Sequence, residues 1–292
     1  MYMEKTDALK KLLKSGNVIV AAGCYDGLSA KLVEAAGFRA AYMTGYGASA
    51  TVLGMPDYGF MTMNEMVTHA GHLSMAINLP LISDADTGYG NPLNVMRTVM
   101  EYERAGISAI HIEDQVFPKR CGHMEGKIVI PMEEHCKKIE MAVKTRKEML
   151  IIARTDARAP LGLDEALRRA KAYQDAGADI IFVDAPQSVQ ELEAIGKSVD
   201  VPLMLNVTEG GKTPILTAEE YRQLGFQVII YPVVTLYAAS KAMKAALSHL
   251  KQHGSTQGYL EKMDTFSSFN ETIGLPEMIE LEKRYVIDRN PQ

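Results

Sequence analysis

Short apolar segments rich in branched side chains recur at even intervals over the first 233 residues of the chain. Most of them are almost continuously hydrophobic, which is typical of parallel strands that are covered on both faces. The pattern therefore predicts eight β-strands. They cover residues 17–23, 40–44, 80–86, 109–114, 149–156, 179–185, 201–207 and 228–233.

Amphipathic helical patterns separate most of these strands. Residues 91–105 open with Asn-Pro, a good cap and first-turn pair, and Gly106 follows them. Residues 163–176 repeat apolar side chains at helical spacing and end before Gly177, and residues 132–149 and 236–250 behave alike. The alternation of eight strands with helices predicts an α/β fold, namely a (β/α)8 barrel of the TIM type.

The length of 292 residues falls within the usual range of one α/β barrel. No low-complexity segment or linker interrupts the pattern, so we expect a single barrel domain over residues 1–292. The residues from about 253 onward come after the last helix of the barrel. They predict extra C-terminal helices outside it.

The chain is mildly acidic, with 36 acidic and 31 basic residues and a net charge of −5. It therefore lacks the positive charge that binds a nucleic-acid backbone, and no stretch approaches the roughly 20 apolar residues that span a bilayer. The three cysteines have neither disulfide nor metal-site spacing, and the N-terminus begins as an amphipathic helix rather than a leader. We expect a cytoplasmic protein whose partner is a small molecule, with no nucleic acid and no membrane.

Carboxylates gather where the third and fourth predicted strands end. Asp84 and Asp86 are two residues apart, so strand alternation places both on one side, and Glu113 ends the next strand. Like charges in close proximity need a cation or protons between them. Oxygen-only ligands suit Mg²⁺ or Mn²⁺ rather than zinc. The alternative is that these residues cap helices and form ion pairs at the strand ends.

A basic cluster surrounds one cysteine in the long loop of residues 114–130. Neighbouring cations shift a thiol toward its thiolate, which can move a proton, and the glycine lets the loop bend over a site. The alternative is a surface run of charge with an incidental cysteine. The cluster consists of Lys119, Arg120, Cys121, Gly122 and His123.

Arg154 lies near the end of the fifth predicted strand, on the same side as Asp156. An arginine at a barrel mouth can bind a carboxylate or stabilise a developing oxyanion. The alternative is an ion pair with Asp156 or Glu113. His111 shares a strand face with Glu113, and we expect it to be a core histidine rather than a ligand.

Five segments together resemble the isocitrate lyase/phosphoenolpyruvate mutase superfamily. They are residues 42–47, 55–60, 84–90, 112–123 and 153–157. The resemblance implies an Mg²⁺-dependent barrel whose last helix is exchanged between the subunits of a homotetramer. It also implies that Asp84 and Asp86 hold the metal, partly through water, with Asp57 and Glu113 in support.

The same resemblance implies a substrate site made from several strand ends. Thr44, Gly45 and Tyr46 would bind the carboxylate of a pyruvate-like half, while Tyr42 and Arg154 would lie near the oxygen on which charge develops. The further substrate-binding residues that it implies are Asp57, Glu113, Gly122 and Asn206.

Cys121 points to a carbon–carbon lyase, because the phosphonate-forming mutases of this superfamily lack that cysteine. The resemblance implies that Cys121 is the general acid and that Lys119, Arg120 and His123 offset the charge of the departing enolate.

Residues 231–239 contain no arginine, although members that cleave methylisocitrate carry one there for a third carboxylate. Residues 206–211 also resemble the branch that acts on smaller C4 dicarboxylates. We therefore expect cleavage of a 2,3-dimethylmalate-type substrate to pyruvate and propionate; the alternatives are a 2-methylisocitrate lyase that yields pyruvate and succinate, or an oxaloacetate hydrolase. Asp184 stands where a glutamate is expected, so its role stays open.

Overall fold

The computed structural model describes residues 2–121, 124 and 126–286. Eight parallel strands close into a barrel in which each strand pairs with the next along the chain, and the last pairs with the first through Ile19 and Val228. The strands are β1 Ile19–Cys24, β2 Ala40–Met43, β3 Leu81–Asp84, β4 Ala109–Glu113, β5 Leu150–Thr155, β6 Ile180–Val183, β7 Leu203–Asn206 and β8 Phe226–Tyr231.

In chain order, the helices come before the first strand, between the strands and after the last one. They are α1 Tyr2–Lys14, α2 Gly27–Ala35, α3 Gly45–Ala48, α4 Met63–Ala76, α5 Pro92–Arg104, α6 Met132–Thr145, α7 Arg158–Leu161, α8 Leu163–Asp175, α9 Val189–Gly196, α10 Ala218–Gln223, α11 Val234–His253, α12 Phe266–Thr272 and α13 Leu275–Tyr285. The predicted TIM-type (β/α)8 barrel with extra C-terminal helices is therefore confirmed.

Local sequence signals explain where several of these helices begin. Asn91 accepts hydrogen bonds from the backbone N–H groups of Leu93 and Asn94, and proline occupies the first turn of α5. Thr62 and Glu65 form a reciprocal capping box at the start of α4. These caps satisfy N–H groups that have no partner within the helix.

For β3 and β6, the early end of the strand has a clear cause in the backbone. β3 ends at Asp84 and β6 at Val183, whereas the patterns extend to residues 86 and 185. The reason is a change of backbone conformation, because Asp86 and Ala185 have positive φ angles of 47° and 55°. A residue in that region cannot continue a strand.

The core has two layers. A large apolar cluster lies between the strands and their surrounding helices, and a smaller one fills the barrel interior. Leu9 and Leu12 of α1 belong to the interior cluster, where they join residues near the strand starts such as Ile19 and Leu150. Buried Lys5 fixes α1 by donating hydrogen bonds of 2.6 and 2.7 Å to the carbonyl oxygens of Ser74 and Ile77. Helix α1 therefore closes the amino end of the barrel.

The internal contacts divide the chain into one compact unit of residues 1–236 and a second of residues 237–292. The described part of the second unit contains most of α11, a short 3-10 turn at Leu260–Lys262, and helices α12 and α13. These helices have no buried residues, and many of their large apolar side chains are exposed. Each helix in the described ranges is too short or too polar to span a lipid bilayer.

Candidate active site

Asp84 and Asp86 come together at the carboxyl end of β3. Asp84 is the last residue of the strand, and the backbone N–H of Asp86 donates a 2.8 Å hydrogen bond to Asp84 Oδ1. Strand alternation does not produce this arrangement, because Asp86 lies beyond the strand in a left-handed conformation. The expected proximity is present, but the reason that we inferred from the sequence is wrong: a tight turn aligns the two carboxylates.

A lysine ammonium lies among the carboxylates of this region. Lys119 Nζ is 2.8 Å from Asp86 Oδ1 and 2.7 Å from Asp57 Oδ2, and all three side chains are buried. Burial raises the pKa of Asp86 to about 7, although the positive charge of Lys119 opposes that rise. The charges of His111, Lys119 and Arg154 outweigh the effect of burial at Asp84 and lower its pKa. The pocket therefore already binds a cationic group through oxygen atoms.

The donor set at this strand end suits a hard divalent cation. Asp84 and Asp86 supply carboxylate oxygens, and nearby Glu113 is buried without a hydrogen bond to either oxygen, although Oε2 lies 3.2 Å from Arg154 Nη1. Within the described ranges, no group of three or more His, Cys, Asp or Glu side chains is arranged to hold a metal ion. A metal here would therefore need water or substrate oxygens as further ligands, which is usual for Mg²⁺.

Tyr42 of β2 and His111 of β4 form a pair inside the barrel mouth. Tyr42 Oη and His111 Nε2 share a 2.8 Å hydrogen bond, and their rings stack with centroids 5.9 Å apart. His111 is fully buried, and burial lowers its pKa to about 4 despite the nearby charge of Asp84. The imidazole is therefore neutral near pH 7 and holds the tyrosine hydroxyl in one place.

Arg154 near the end of β5 contacts three carboxylates. Its Nε and Nη2 donate hydrogen bonds of 2.9 and 3.0 Å to Asp156, while Nη1 lies 3.2 Å from Glu113 Oε2 and Nη2 lies 3.5 Å from Asp184 Oδ2. Both ion pairs that the sequence left open, with Asp156 and with Glu113, are present. The guanidinium also lies over the Phe182 ring, 5.1 Å from its centroid. Its orientation is thus fixed from several sides.

The 114–130 loop has a closed base. Val116 N–H donates a 2.8 Å hydrogen bond to Ile128 O, and Ile130 N–H donates a 2.9 Å bond to Asp114 O. Gln115 also bonds to the backbone N–H and carbonyl of Arg120. Cys121 is half-buried, whereas Gly122 and His123 lie outside the described residues.

The remaining candidate residues also follow strand ends. Thr44 caps α3 by accepting a 3.1 Å hydrogen bond from Gly47 N–H, and a Cβ at Gly45 would lie only 2.4 Å from Asp84 Oδ2. Tyr46 follows in α3. Asn206 ends β7, where its Nδ2 is 3.5 Å from Asp184 Oδ1. The structure thus brings the described candidates to one end of the barrel, which is the end where barrel enzymes carry out chemistry.

One residue of this region was not found from the sequence. Lys127 Nζ lies 2.8 Å from Asp156 Oδ1 and 3.3 Å from Asp184 Oδ2, with a side chain that is 1% exposed. A lone lysine in a long loop has no spacing or motif that distinguishes it from a solvated one. Only the fold shows that Lys127 meets Asp156 and Asp184.

The comparison with protein-family models gives a match to phosphoenolpyruvate phosphomutase over residues 9–251. The chain belongs to the phosphoenolpyruvate mutase/isocitrate lyase superfamily. The resemblance inferred from the sequence motifs is thereby confirmed. Since the match spans most of the chain, it covers every strand of the barrel.

Two curated members of this superfamily show which activities occur among its relatives. The chain is 45% identical over 289 residues to the 2,3-dimethylmalate lyase of Eubacterium barkeri, and the alignment covers 98% of this chain and 100% of that protein. It is 42% identical over 266 residues to the 2-methylisocitrate lyase of Aeropyrum pernix, with coverage of 91% and 86%. The expectation of a carbon–carbon lyase is confirmed at the level of enzyme class by these named lyases.

Solved structures of the superfamily share the whole fold. An oxaloacetate acetylhydrolase bound to 3,3-difluorooxalacetate has a TM-score of 0.93 at 35% identity, with 99% of each chain covered. A 2,3-dimethylmalate lyase has a TM-score of 0.92 at 38% identity, with coverage of 99% and 98%. A phosphonopyruvate hydrolase solved with oxalate and Mg²⁺ has a TM-score of 0.88 at 32% identity, with coverage of 97% and 99%.

Proposed function

We propose that this protein is an Mg²⁺-dependent lyase that cleaves a 2,3-dimethylmalate-type 2-hydroxy dicarboxylate to pyruvate and propionate. The observation that carries the choice of substrate is the composition of residues 231–239, which contain no arginine. The third carboxylate of methylisocitrate would be buried there without that partner, and an unpaired buried charge is strongly unfavourable. The 45% identity to a 2,3-dimethylmalate lyase supports the same substrate.

The carboxylates at β3 are the proposed metal ligands. Asp84 and Asp86 would hold Mg²⁺, with water completing the shell and with Asp57 and Glu113 as supporting groups. When bound, the ion supplies Lewis acidity that lowers the pKa of the substrate 2-hydroxyl. Mn²⁺ offers the same oxygen preference.

The residues around the metal ligands would bind and orient the pyruvate half. The start of α3, at Thr44, Gly45 and Tyr46, would bind its carboxylate. The 2-hydroxyl would lose its proton to solvent water, and Tyr42 and Arg154 would stabilise the negative charge left on that oxygen until the carbonyl of pyruvate forms. Their buried hydrogen bonds hold them in place beforehand, which is how such groups stabilise a transition state more than a ground state.

The 114–130 loop would deal with the other half of the substrate. Breaking the carbon–carbon bond leaves the electron pair on an enolate of a carboxylic acid, and Cys121 would donate a proton to its carbon. Lys119, Arg120 and His123 would offset the negative charge, with Gly122 and Asn206 also at the substrate. The loop would keep water away from this basic intermediate.

The decisive experiment measures pyruvate release from 2,3-dimethylmalate and from methylisocitrate, each with Mg²⁺ and with a chelator. Oxaloacetate is assayed separately, and its hydrolysis is followed as oxalate and acetate. We expect chelator-sensitive turnover in which kcat/KM for 2,3-dimethylmalate exceeds that for methylisocitrate by at least about tenfold, or about 1.4 kcal/mol. The opposite preference would mean that another residue binds the third carboxylate. Cleavage of oxaloacetate alone would assign the chain to the hydrolases instead.

We further propose that the protein works in the cytoplasm as a homotetramer of single-domain subunits that exchange their last barrel helix. The support is the C-terminal unit, whose described helices expose many large apolar side chains. Exposed apolar clusters of this kind mark interaction surfaces. The chain has three cysteines, an odd number that argues against a disulfide framework and suits a reducing compartment.

A further inference from the structure

We propose that Lys127 is a positioning residue for Arg154 and that Asp184 is the negative charge that Lys127 offsets. This inference rests on the proposed function, in which Arg154 lies beside the reacting oxygen. It adds two residues to the reaction, since nothing in the motifs assigned a role to Lys127 and the role of Asp184 was open.

Lys127 and Arg154 bind the same pair of carboxylates from two sides. Lys127 Nζ is 2.8 Å from Asp156 Oδ1, and the same oxygen accepts a 3.0 Å hydrogen bond from Arg154 Nη2. Asp184 Oδ2 likewise lies 3.3 Å from Lys127 Nζ and 3.5 Å from Arg154 Nη2. Both carboxylate side chains are fully buried.

Lys127 and Arg154 offset the charges of Asp156 and Asp184, while Glu113 contacts Arg154 through Nη1. If Lys127 were neutral, Arg154 alone would face Asp156 and Asp184, and both anions would reduce its positive potential. Its Nη2 would also be drawn further toward Asp184, away from the direction in which Nη1 contacts Glu113 at 3.2 Å. In a buried site such a loss is large, because water cannot replace the missing charge.

The position of Lys127 in the chain ties this balance to the loop that carries Cys121. Lys127 directly precedes Ile128, whose carbonyl closes the base of the 114–130 loop, and it lies six positions after Cys121. Its ammonium contacts Asp156 and Asp184 from the part of the loop that returns to the barrel.

The test is a charge-balance experiment on the full-length protein with Mg²⁺. The K127M variant removes the ammonium, and D184N removes one carboxylate charge. The double variant K127M/D184N removes both, so its net charge equals that of the wild type. Arg154 acts mainly in the transition state, so we expect K127M to lower kcat at least about thirtyfold with KM changed less than about threefold. In the double variant kcat should recover by at least about tenfold over K127M.

A matched control is K5M, which removes another buried ammonium at the opposite end of the barrel, where Lys5 binds two backbone carbonyls. It should lower the thermal midpoint and leave kcat unchanged. If K127M behaves like K5M, or if D184N fails to rescue K127M although both variants are folded by circular dichroism, Lys127 is only a structural residue and the proposal is overturned.

Oxalate provides a readout that needs no turnover, since this dianion mimics the pyruvate half of the substrate with a negatively charged 2-oxygen. Calorimetry with Mg²⁺ should show about tenfold weaker oxalate binding for K127M and recovery in the double variant. If oxalate binding follows this pattern across the variants but the wild type releases no pyruvate, the proposed substrate is overturned and the role of Lys127 is supported. Wild-type protein that neither binds oxalate nor releases pyruvate would overturn both.

Discussion

Buried charges at the carboxyl end of the barrel are held by specific partners rather than by solvent. Asp114, directly after β4, shows this most fully: it accepts hydrogen bonds of 2.7–2.9 Å from Tyr173, Thr155, Arg169 and the backbone of Asp156. These bonds make Asp114 a rigid support beneath Arg154 and the loop base. Burial raises the pKa of Asp114, while these hydrogen bonds oppose that rise and hold the neighbouring side chains in place.

Cys121 permits the simplest test of the proposed chemistry at the scale of one residue. Replacing its thiol with a hydroxyl leaves a much weaker acid, so C121S should lower kcat by about 10²-fold or more, with little change in oxalate binding. The assay is pyruvate release under saturating substrate. Cys136, a half-buried cysteine of α6, is the matched control, and C136S should keep the wild-type rate. Full activity in C121S would remove Cys121 from the mechanism.

His135 of α6 should make stability depend on pH. It is fully buried against the Tyr173 ring at 4.6 Å, and burial, aided by the charges of Lys138 and Arg169, lowers its pKa to about 3. The unfolded chain binds its proton near pH 6.5, so stability is full above that pH and falls as the pH drops toward 3.

The variant H135F keeps an aromatic ring and cannot take up that proton. Between pH 6 and 4 its free energy of unfolding in urea should fall less steeply than that of the wild type, by about 1.4 kcal/mol per pH unit. Parallel slopes for the two proteins would show that His135 is protonated in the folded state. His111 titrates in both proteins, so it cancels in the difference.

At the scale of elements, the barrel was predictable and its irregular turns were not. Eight apolar runs and glycine-ended helices predicted the strand bounds to within about two residues. A strand that is buried on both faces is almost continuously apolar, so its position can be seen in the sequence. Local patterns carry no such mark for Asp86, which owes its position to a left-handed turn, or for Lys127, whose partners Asp156 and Asp184 come directly after β5 and β6. Long-range pairing of single charged residues has no periodicity.

The contact between α3 and the end of β3 should be sensitive to one methyl group. A Cβ at Gly45 would lie 2.4 Å from Asp84 Oδ2 and 2.9 Å from its carboxyl carbon, so G45A must displace the proposed metal ligand. We expect turnover at least about 10²-fold lower and a higher Mg²⁺ concentration for half-maximal activity. The free energy of unfolding should fall by about 1–3 kcal/mol.

Gly71 within α4 is the control for this substitution. A Cβ there would meet only the Ala105 methyl at an ordinary 3.6 Å, so G71A should be active and about 0.5–1 kcal/mol more stable, as expected for alanine in a helix interior. Activity and urea unfolding measured on both variants check the pair. An active G45A enzyme with normal Mg²⁺ dependence would contradict the proposed role of Asp84.

The whole molecule separates stability from chemistry along the barrel axis. Helix α1 seals the amino ends of the strands with apolar side chains, whereas ionisable residues dominate the carboxyl ends. Such a division allows residues at one end to change for function while the other end maintains the fold.

The proposed homotetramer can be checked by light scattering, which should give a mass near four times 32.1 kDa, about 130 kDa. Within the C-terminal unit, Phe266 is 85% and Met278 56% exposed. Charging both in F266E/M278E should shift the protein to smaller species, since charged groups are excluded from apolar interfaces. L93E, which charges a 65% exposed side chain of α5, should remain tetrameric. A wild-type monomer would contradict the proposal.

The left-handed turn that holds Asp86 has a consequence for laboratory evolution. Asp86 and Tyr89 adopt φ angles of 47° and 60°, a conformation that is unfavourable by about 1 kcal/mol or more for most side chains. Glycine or asparagine at position 86 would relieve that strain but would also remove the carboxylate that pairs with buried Lys119, and breaking a buried ion pair is more unfavourable than the strain. A library of variants screened only for heat resistance would thus keep Asp86, and with it a proposed metal ligand, even without an activity step.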